Sequence, residues 1–429
     1  MVNLKVIAAV AVVVVLVVAG AGVLLLTKDE KRNEEINLVL GLEAVGSGIY
    51  YDPERIDAAD LFVTNPDGTV KVFENGNVKY RAAGWNKLIF GSPGVVSIQH
   101  FQLKTIVEAY LSSPDWVEGP TKEYRLVAWQ QGQDLREGEV GYIITTGAAS
   151  QILDTKINGE SLRIGLTWQP QLVKVVGDTP YDVLVRTNEL FPHQTCCVLY
   201  ANASFVDANP DVSERLIWAT LQATDWLNQA KEKGKIDPSD PDYLKLLEIG
   251  ARVGGPTFTT SELAVAIEDV EYSWGDVNYS PGNPLSGVKS DIASQIDILA
   301  PLGTFKNSLS DLGFSNSQEF AERFVDDSLV SSILKNGKDT VPEHSGKYTV
   351  KMGLIQGDIH QLPVHIANTV LPGQTESFYS QAGIEITQVG SPTGAGVLAG
   401  MKANEVDFGV NAQPSVITDN INNKLTTKG

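Results

Sequence analysis

The stretch that most limits what this chain can fold into runs from Ile384 to Val410. Ile384-Glu385-Ile386-Thr387-Gln388-Val389 alternates apolar and polar side chains, the pattern of a strand. Gly390-Ser391-Pro392-Thr393-Gly394-Ala395-Gly396 then turns tightly and opens a helix near Thr393, with Val397, Leu398 and Met401 as its apolar face. Glu405 to Val410 enters a second buried strand. A strand–helix–strand unit of this kind leaves the first helical N–H groups beyond the carboxyl end of a strand, where they suit an anion or a polar ligand head. Leu88 to Leu111 repeats the theme as a strand, the turn Gly91-Ser92-Pro93-Gly94 and a helix from about Val96. Glu137 to Thr146 echoes Ala403 to Gly409, a short helix running into a buried strand in both places. Two such halves predict an α/β chain with two lobes of one architecture rather than a long repeat array.

Several segments resemble the nitrate/sulfonate/taurine group of ABC-transporter solute-binding proteins, whose fold also covers thiamine-pyrimidine binders. Lys351-Met352-Gly353-Leu354-Ile355, Ala382-Gly383-Ile384-Glu385-Ile386, the glycine stretch and Asn404-Glu405-Val406-Asp407-Phe408-Gly409 are similar to the opening lobe of that family. Gly46-Ser47-Gly48-Ile49 and Leu88 to Phe101 resemble its middle, and Pro192 to Leu199 its return crossing. The order differs from the family pattern, since the opening segment closes this chain. That order resembles a circular permutation, with a slice of a tandem repeat as the rival explanation. The resemblance implies an α/β, two-lobed periplasmic-binding-protein-like (type 2) fold, an ABC permease as partner, and no obligate cofactor. It also implies a body on the extracytoplasmic side of the membrane.

At 429 residues the chain exceeds one typical core. A formal net charge of −19 excludes nucleic acid as an expected partner. Val6 to Leu26 is 21 residues without a charge, preceded by Lys5 and followed by Lys28-Asp29-Glu30-Lys31-Arg32. That length can cross a bilayer, so an N-terminal transmembrane helix acting as an uncleaved anchor is expected. A signal peptide cleaved near Ala19-Gly20-Ala21-Gly22 is the alternative. Cys196 and Cys197 are the two cysteines. Alone they exclude a disulfide-stapled small domain and a cysteine-ligated zinc site, and they read as small buried hydrophobes in a strand, with a strained disulfide between the neighbours as the alternative.

The expected division is an anchor (1–33), a first-lobe strand with crossing and hairpin (36–84), and a second lobe (85–200). First-lobe helices (201–335), a linker (336–346) and a first-lobe ligand-binding segment (347–429) follow. Asn209-Pro210-Asp211 starts a helix by cap and first-turn chemistry. The polar, proline-bearing 336–346 segment is the join expected under the permuted order.

No His-Glu-x-x-His, Gly-x-Ser-x-Gly or Gly-Lys-Ser/Thr phosphate loop occurs, so no enzyme is called for and no catalytic or metal residue is expected. The acid pairs Glu268-Asp269 and Asp326-Asp327 read as solvated faces. Ligand contacts are expected at strand ends and helix starts. These are Gln356, Asp358 and His360; Ser391, Thr393 and Gly394; Ser92, Ser97 and His100; and Thr145 and Thr146. Glu43 and Ser47 from the crossing, His193 from the return crossing and Asn411 at the last strand's end join them. His360 and His100 are the candidates for charge complementarity, and His365, one turn into its helix, is expected to be structural. The expected function is extracytoplasmic delivery of a small polar or anionic solute, such as nitrate, sulfonate, taurine or bicarbonate, to an ABC importer by lobe closure. Two alternatives stay open: a biosynthetic enzyme on the same fold, in the thiamine-pyrimidine or menaquinone pathway, and a surface-assembly protein exchanging lobes between chains.

Overall fold

The computed structural model describes residues 36–424 apart from 45, 75, 178 and 276–282. The apolar run 6–26 lies outside the described residues. Among those described, no helix is long and apolar enough to cross a membrane.

The chain starts in one sheet, crosses to another and returns. Ile36–Gly41 (β1) is apolar apart from Asn37, with Leu38, Val39 and Leu40 fully buried in succession, as expected of a strand covered on both faces. Glu43–Ala44 (β2) and Ser47–Tyr51 (β3) follow. Between them Gly46 takes φ 88°, a left-handed turn that favours glycine. The second sheet then collects Ile89–Ser92 (β4), Arg125–Ala128 (β5) and Glu139–Ile144 (β6). A small ribbon, Lys156–Ile157 (β7) and Glu160–Ser161 (β8), precedes Ile164–Trp168 (β9) and Asp182–Arg186 (β10). Cys197–Asn202 (β11) carries the chain back, and Glu271–Tyr272 (β12) pairs with β2. Tyr348–Ile355 (β13), Ile384–Ser391 (β14) and Phe408–Ala412 (β15) complete the strands.

The first sheet has the order β1-β11-β15-β13-β14. Its three C-terminal strands are mutually parallel neighbours, and β11 runs antiparallel to both β15 and β1. Val198 therefore faces Asn411 while Ile36 faces Asn202, so the tail of the chain is built into the same sheet as its front. The second sheet has the order β10-β3-β9-β4-β6-β5. Each sheet has its own core. Leu38, Leu199, Leu216, Phe320, Met352 and Val410 belong to the first, and Ile49, Phe62, Trp85, Phe90, Ile106 and Val140 to the second.

The 27-residue helix Pro210–Ile236 backs the first sheet and runs two residues past Gly234, where the sequence pattern ends it. Three sequence expectations differ from the coordinates. Residues 47–84 pair with and pack on the second sheet, because the turn at Gly46 redirects the chain and buries Ile49, Phe62 and Tyr80 in that core. Residues 129–138 form turns rather than a short helix before β6. Asp269 and Asp327 are half-buried ion-pair partners rather than solvated, since Arg186 and Lys289 lie against them.

Candidate functional site

Two segments link the sheets, 42–46 outward and 191–196 on the return, and they hydrogen-bond to each other. Leu42 N–H donates to the Cys197 carbonyl at 3.0 Å and Cys196 N–H to the Glu43 carbonyl at 3.0 Å. The Glu43 side chain is 1% exposed. Its Oε1 accepts from Cys197 N–H at 2.8 Å, while Oε2 has no hydrogen-bond partner among the described residues. Burial raises its pKa to about 7, against the opposing pull of His360.

Asp358 follows β13 and caps the short turn Ile359–Gln361. Its Oδ1 accepts from His360 N–H at 3.0 Å and lies 2.7 Å from His360 Nδ1. Burial works against a charged imidazole here, but the Glu43 and Asp358 carboxylates overcome it and raise the His360 pKa to about 9. The same pairing holds Asp358 below its usual range although burial pushes it up. His360 Nε2 has no hydrogen-bond partner among the described residues and packs on Gly46, where an added Cβ would lie 2.6 Å away. Glycine at 46 is thus required twice, by its φ and by this approach. Asp358 and His360, expected in one loop, and Glu43, expected in the crossing, form one buried cluster at the junction of the crossings.

At the ends of β14 and β15 a second group forms. Thr393 caps the helix Gly394–Lys402 by accepting from Gly396 N–H at 3.3 Å, and Ser391 Oγ donates to the Thr393 carbonyl at 2.9 Å. A Cβ on Gly394 would fall 1.9 Å from Asn411 Oδ1, so the helix start and Asn411 are in contact. Asn411 is buried and its Nδ2 has no hydrogen-bond partner among the described residues. Gln356 is exposed, tied to β14 only through its backbone N–H on the Ser391 carbonyl.

The third group belongs to the second sheet. Ser97 caps the helix Ile98–Thr105 through His100 N–H at 3.1 Å. His100 Nδ1 lies 3.2 Å from Ser92 Oγ, and its ring meets Tyr142 edge-on. Burial, with Lys104 nearby, lowers the His100 pKa to about 4, so this imidazole is neutral and supplies no positive charge at pH 7. Thr145 N–H donates to the Ser92 carbonyl, and Ser47 Oγ accepts from Gln99 Nε2 at 2.8 Å. Thr146 is exposed and its hydroxyl donates to Gln151 Oε1. The two lobes touch beside these groups, where Ser415 Oγ, on the helix Gln413–Asn423 after β15, donates to the Val96 carbonyl at 2.5 Å. His365 is half-buried, with its pKa lowered to about 4 by burial and Arg252.

His193 stands apart. It is exposed at φ 56°, with Nδ1 3.2 Å from Glu271. With Glu43, Thr195, Glu271, Ser273 and Asp291 it lines a cavity of about 310 Å³ beside the crossings. The lobes also touch through Asp269, whose Oδ2 accepts from Gln169 Nε2 at 2.5 Å and pairs with Arg186, and through Lys174–Glu262 at 3.0 Å. Sequence reasoning missed Asp269 and the two cysteines as members of this region. The signal available was the adjacent pair Cys196-Cys197 at a lobe crossing, next to which the fold sets the Glu43 carboxylate.

No protein-family profile matches the chain, and no curated protein matches it. Among solved structures, the chain is similar to the ligand-binding component of an ABC-type import system from Staphylococcus aureus with zinc bound. The identity is 12% over 70% of this chain and 75% of that one, with a TM-score of 0.38. It is also similar to the periplasmic nitrate-binding protein NrtA from Synechocystis PCC 6803, at 10% identity over 71% of this chain and 68% of that one, with a TM-score of 0.45.

Proposed function

We propose that the chain is a solute-binding protein that closes its two lobes on a small polar or anionic molecule and presents it to an ABC permease. The anchor at 6–26 would hold the body on the extracytoplasmic face. The observation that carries this reading is that the two lobes touch beside a capped helix start: Ser415, on the helix Gln413–Asn423 that follows β15, donates to the carbonyl of Val96, next to the Ser97 cap of the other lobe's helix. In the first lobe Thr393 caps a second helix start against Asn411, whose buried Nδ2 has no hydrogen-bond partner among the described residues. Unpaired helical N–H groups and a free amide donor suit an oxyanion without a formal positive charge. Closure is favoured when a ligand contacts both lobes only in the closed form. The permuted order fits this reading, because β13–β15 complete the sheet of β1 and β11 within one chain and no neighbouring chain is needed. No cofactor and no catalytic step enter.

The test is a thermal-shift screen of the full-length protein against nitrate, bicarbonate, sulfonates, taurine and pyrimidines. A ligand present at about 100 times its Kd stabilises the folded state by roughly 2.7 kcal/mol. A rise in melting temperature with one class, lost in Asn411→Ala, is the expected result. No response to any of them overturns the reading.

A further inference from the structure

We propose that Glu43, Cys196 and Cys197 form a metal site for a zinc-like divalent ion, bridging the outward and return crossings between the lobes. One donor atom from each residue lies within 4.8 Å of the others, and all three side chains are buried. The two sulfurs are 4.0 Å apart. Zinc bound to two sulfurs at about 2.3 Å in a tetrahedron holds them roughly 3.8 Å apart, so little movement is needed to seat the ion. That separation is far too long for a disulfide, whose S–S bond is about 2.05 Å, and both cysteines are free thiols.

Glu43 supplies the independent sign of a ligand. One of its carboxylate oxygens is already held by Cys197 N–H, which fixes the group in place. The other is buried with no hydrogen-bond partner among the described residues, and a buried carboxylate oxygen left unpaired is costly unless something fills its lone pairs. Glu43 also lines the cavity that contains Glu271, Asp291 and His193, which gives an ion a negatively charged route to the site. Two thiolates and a carboxylate select zinc or cobalt over calcium or magnesium. Three protein ligands leave a fourth tetrahedral position for water or a donor from a bound molecule. On binding, each thiol loses its proton to solvent and no electron is transferred. The expectation that the adjacent cysteines serve only as packing residues counted cysteines along the sequence. The fold adds the third donor from a residue 153 positions away.

The experiment titrates the reduced, chelator-treated full-length protein with Co²⁺ and follows near-ultraviolet absorbance. Sulfur-to-cobalt charge transfer can arise only from Cys196 and Cys197, the two cysteines of the chain. One Co²⁺ per chain with that band, displaced by Zn²⁺, is the expected result. Glu43→Gln should weaken Co²⁺ binding about tenfold or more while the band persists at saturation. Absence of the band from the folded wild-type protein overturns the proposal, as does a band with undiminished affinity in Glu43→Gln. Because the first of these readings uses the unmodified protein, a variant that fails to fold does not decide the result.

Discussion

His360 Nδ1 lies 2.7 Å from Asp358 Oδ1, with the imidazole and the carboxylate both buried at the point where the chain passes from one lobe to the other. The pair is held locally, because Asp358 also caps the turn that carries His360. Removing one partner of a buried pair leaves the other charge uncompensated, which costs about 3–5 kcal/mol. Asp358→Asn is therefore expected to lower unfolding stability by that order, measured by urea denaturation near pH 7. A loss of only a few tenths of a kcal/mol would show that His360 is neutral in the folded protein.

Stability should fall on both sides of neutrality for two different histidines. The His360 pKa is raised from 6.5 to about 9 in the fold. Its contribution is fully present below pH 6.5 and is lost as pH rises through 9, on the order of 3 kcal/mol in all. The His100 pKa is lowered to about 4. The unfolded chain binds that proton first, so stability is lost as pH falls from 6.5 toward 4, again on the order of 3 kcal/mol. His360→Gln should flatten the alkaline arm of a melting-temperature profile, and His100→Gln should reduce the acid arm, part of which stays because burial lowers the His365 pKa to about 4 as well. Two variants with unchanged arms would separate the pH response from these residues.

Gly394 leaves no room for a side chain, since a Cβ would sit 1.9 Å from Asn411 Oδ1. Gly394→Ala should displace the Asn411 amide and cost about 1–3 kcal/mol, the usual penalty of overpacking. Gly94, with nothing within 4 Å of an added Cβ, is the matched control, and Gly94→Ala should melt with the wild type. Equal melting temperatures for the two variants would mean that Asn411 yields freely.

Asp269 joins the lobes by holding Gln169 and Arg186 at once. Asp269→Ala removes both contacts while leaving each lobe's core intact. A larger radius of gyration by small-angle X-ray scattering of the ligand-free protein is expected. An unchanged radius would assign the closed arrangement to other contacts, with Lys174–Glu262 the next to test.

Local chemistry made much of this molecule readable in advance. The largely apolar β1, the Asn209-Pro210 start of the long helix and the helix openings near Thr393 and Val96 depend on a few neighbouring residues each, so their spacing locates them to within a residue or two. The helix-start group Ser391, Thr393 and Gly394 was legible for the same reason. The cluster of Glu43, Asp358 and His360 was legible only as candidates in one loop and one crossing, with no hint that they meet. Their titration followed burial and mutual charge, which no local pattern encodes: of the two histidines chosen for charge, His360 is held protonated and His100 neutral.

What the sequence by itself determined, then, is the set of strands, helices and caps, because hydrophobic period and capping act within a turn or two of the chain. The tertiary structure alone decided that Gly46 hands residues 47–84 to the second sheet, that Asp269 reaches across to Arg186, and that Glu43 comes to rest beside Cys196 and Cys197. Those outcomes turn on which surfaces pack after the crossings form. Burial and charge pairing between residues far apart in the chain are properties of that packing rather than of any stretch of sequence.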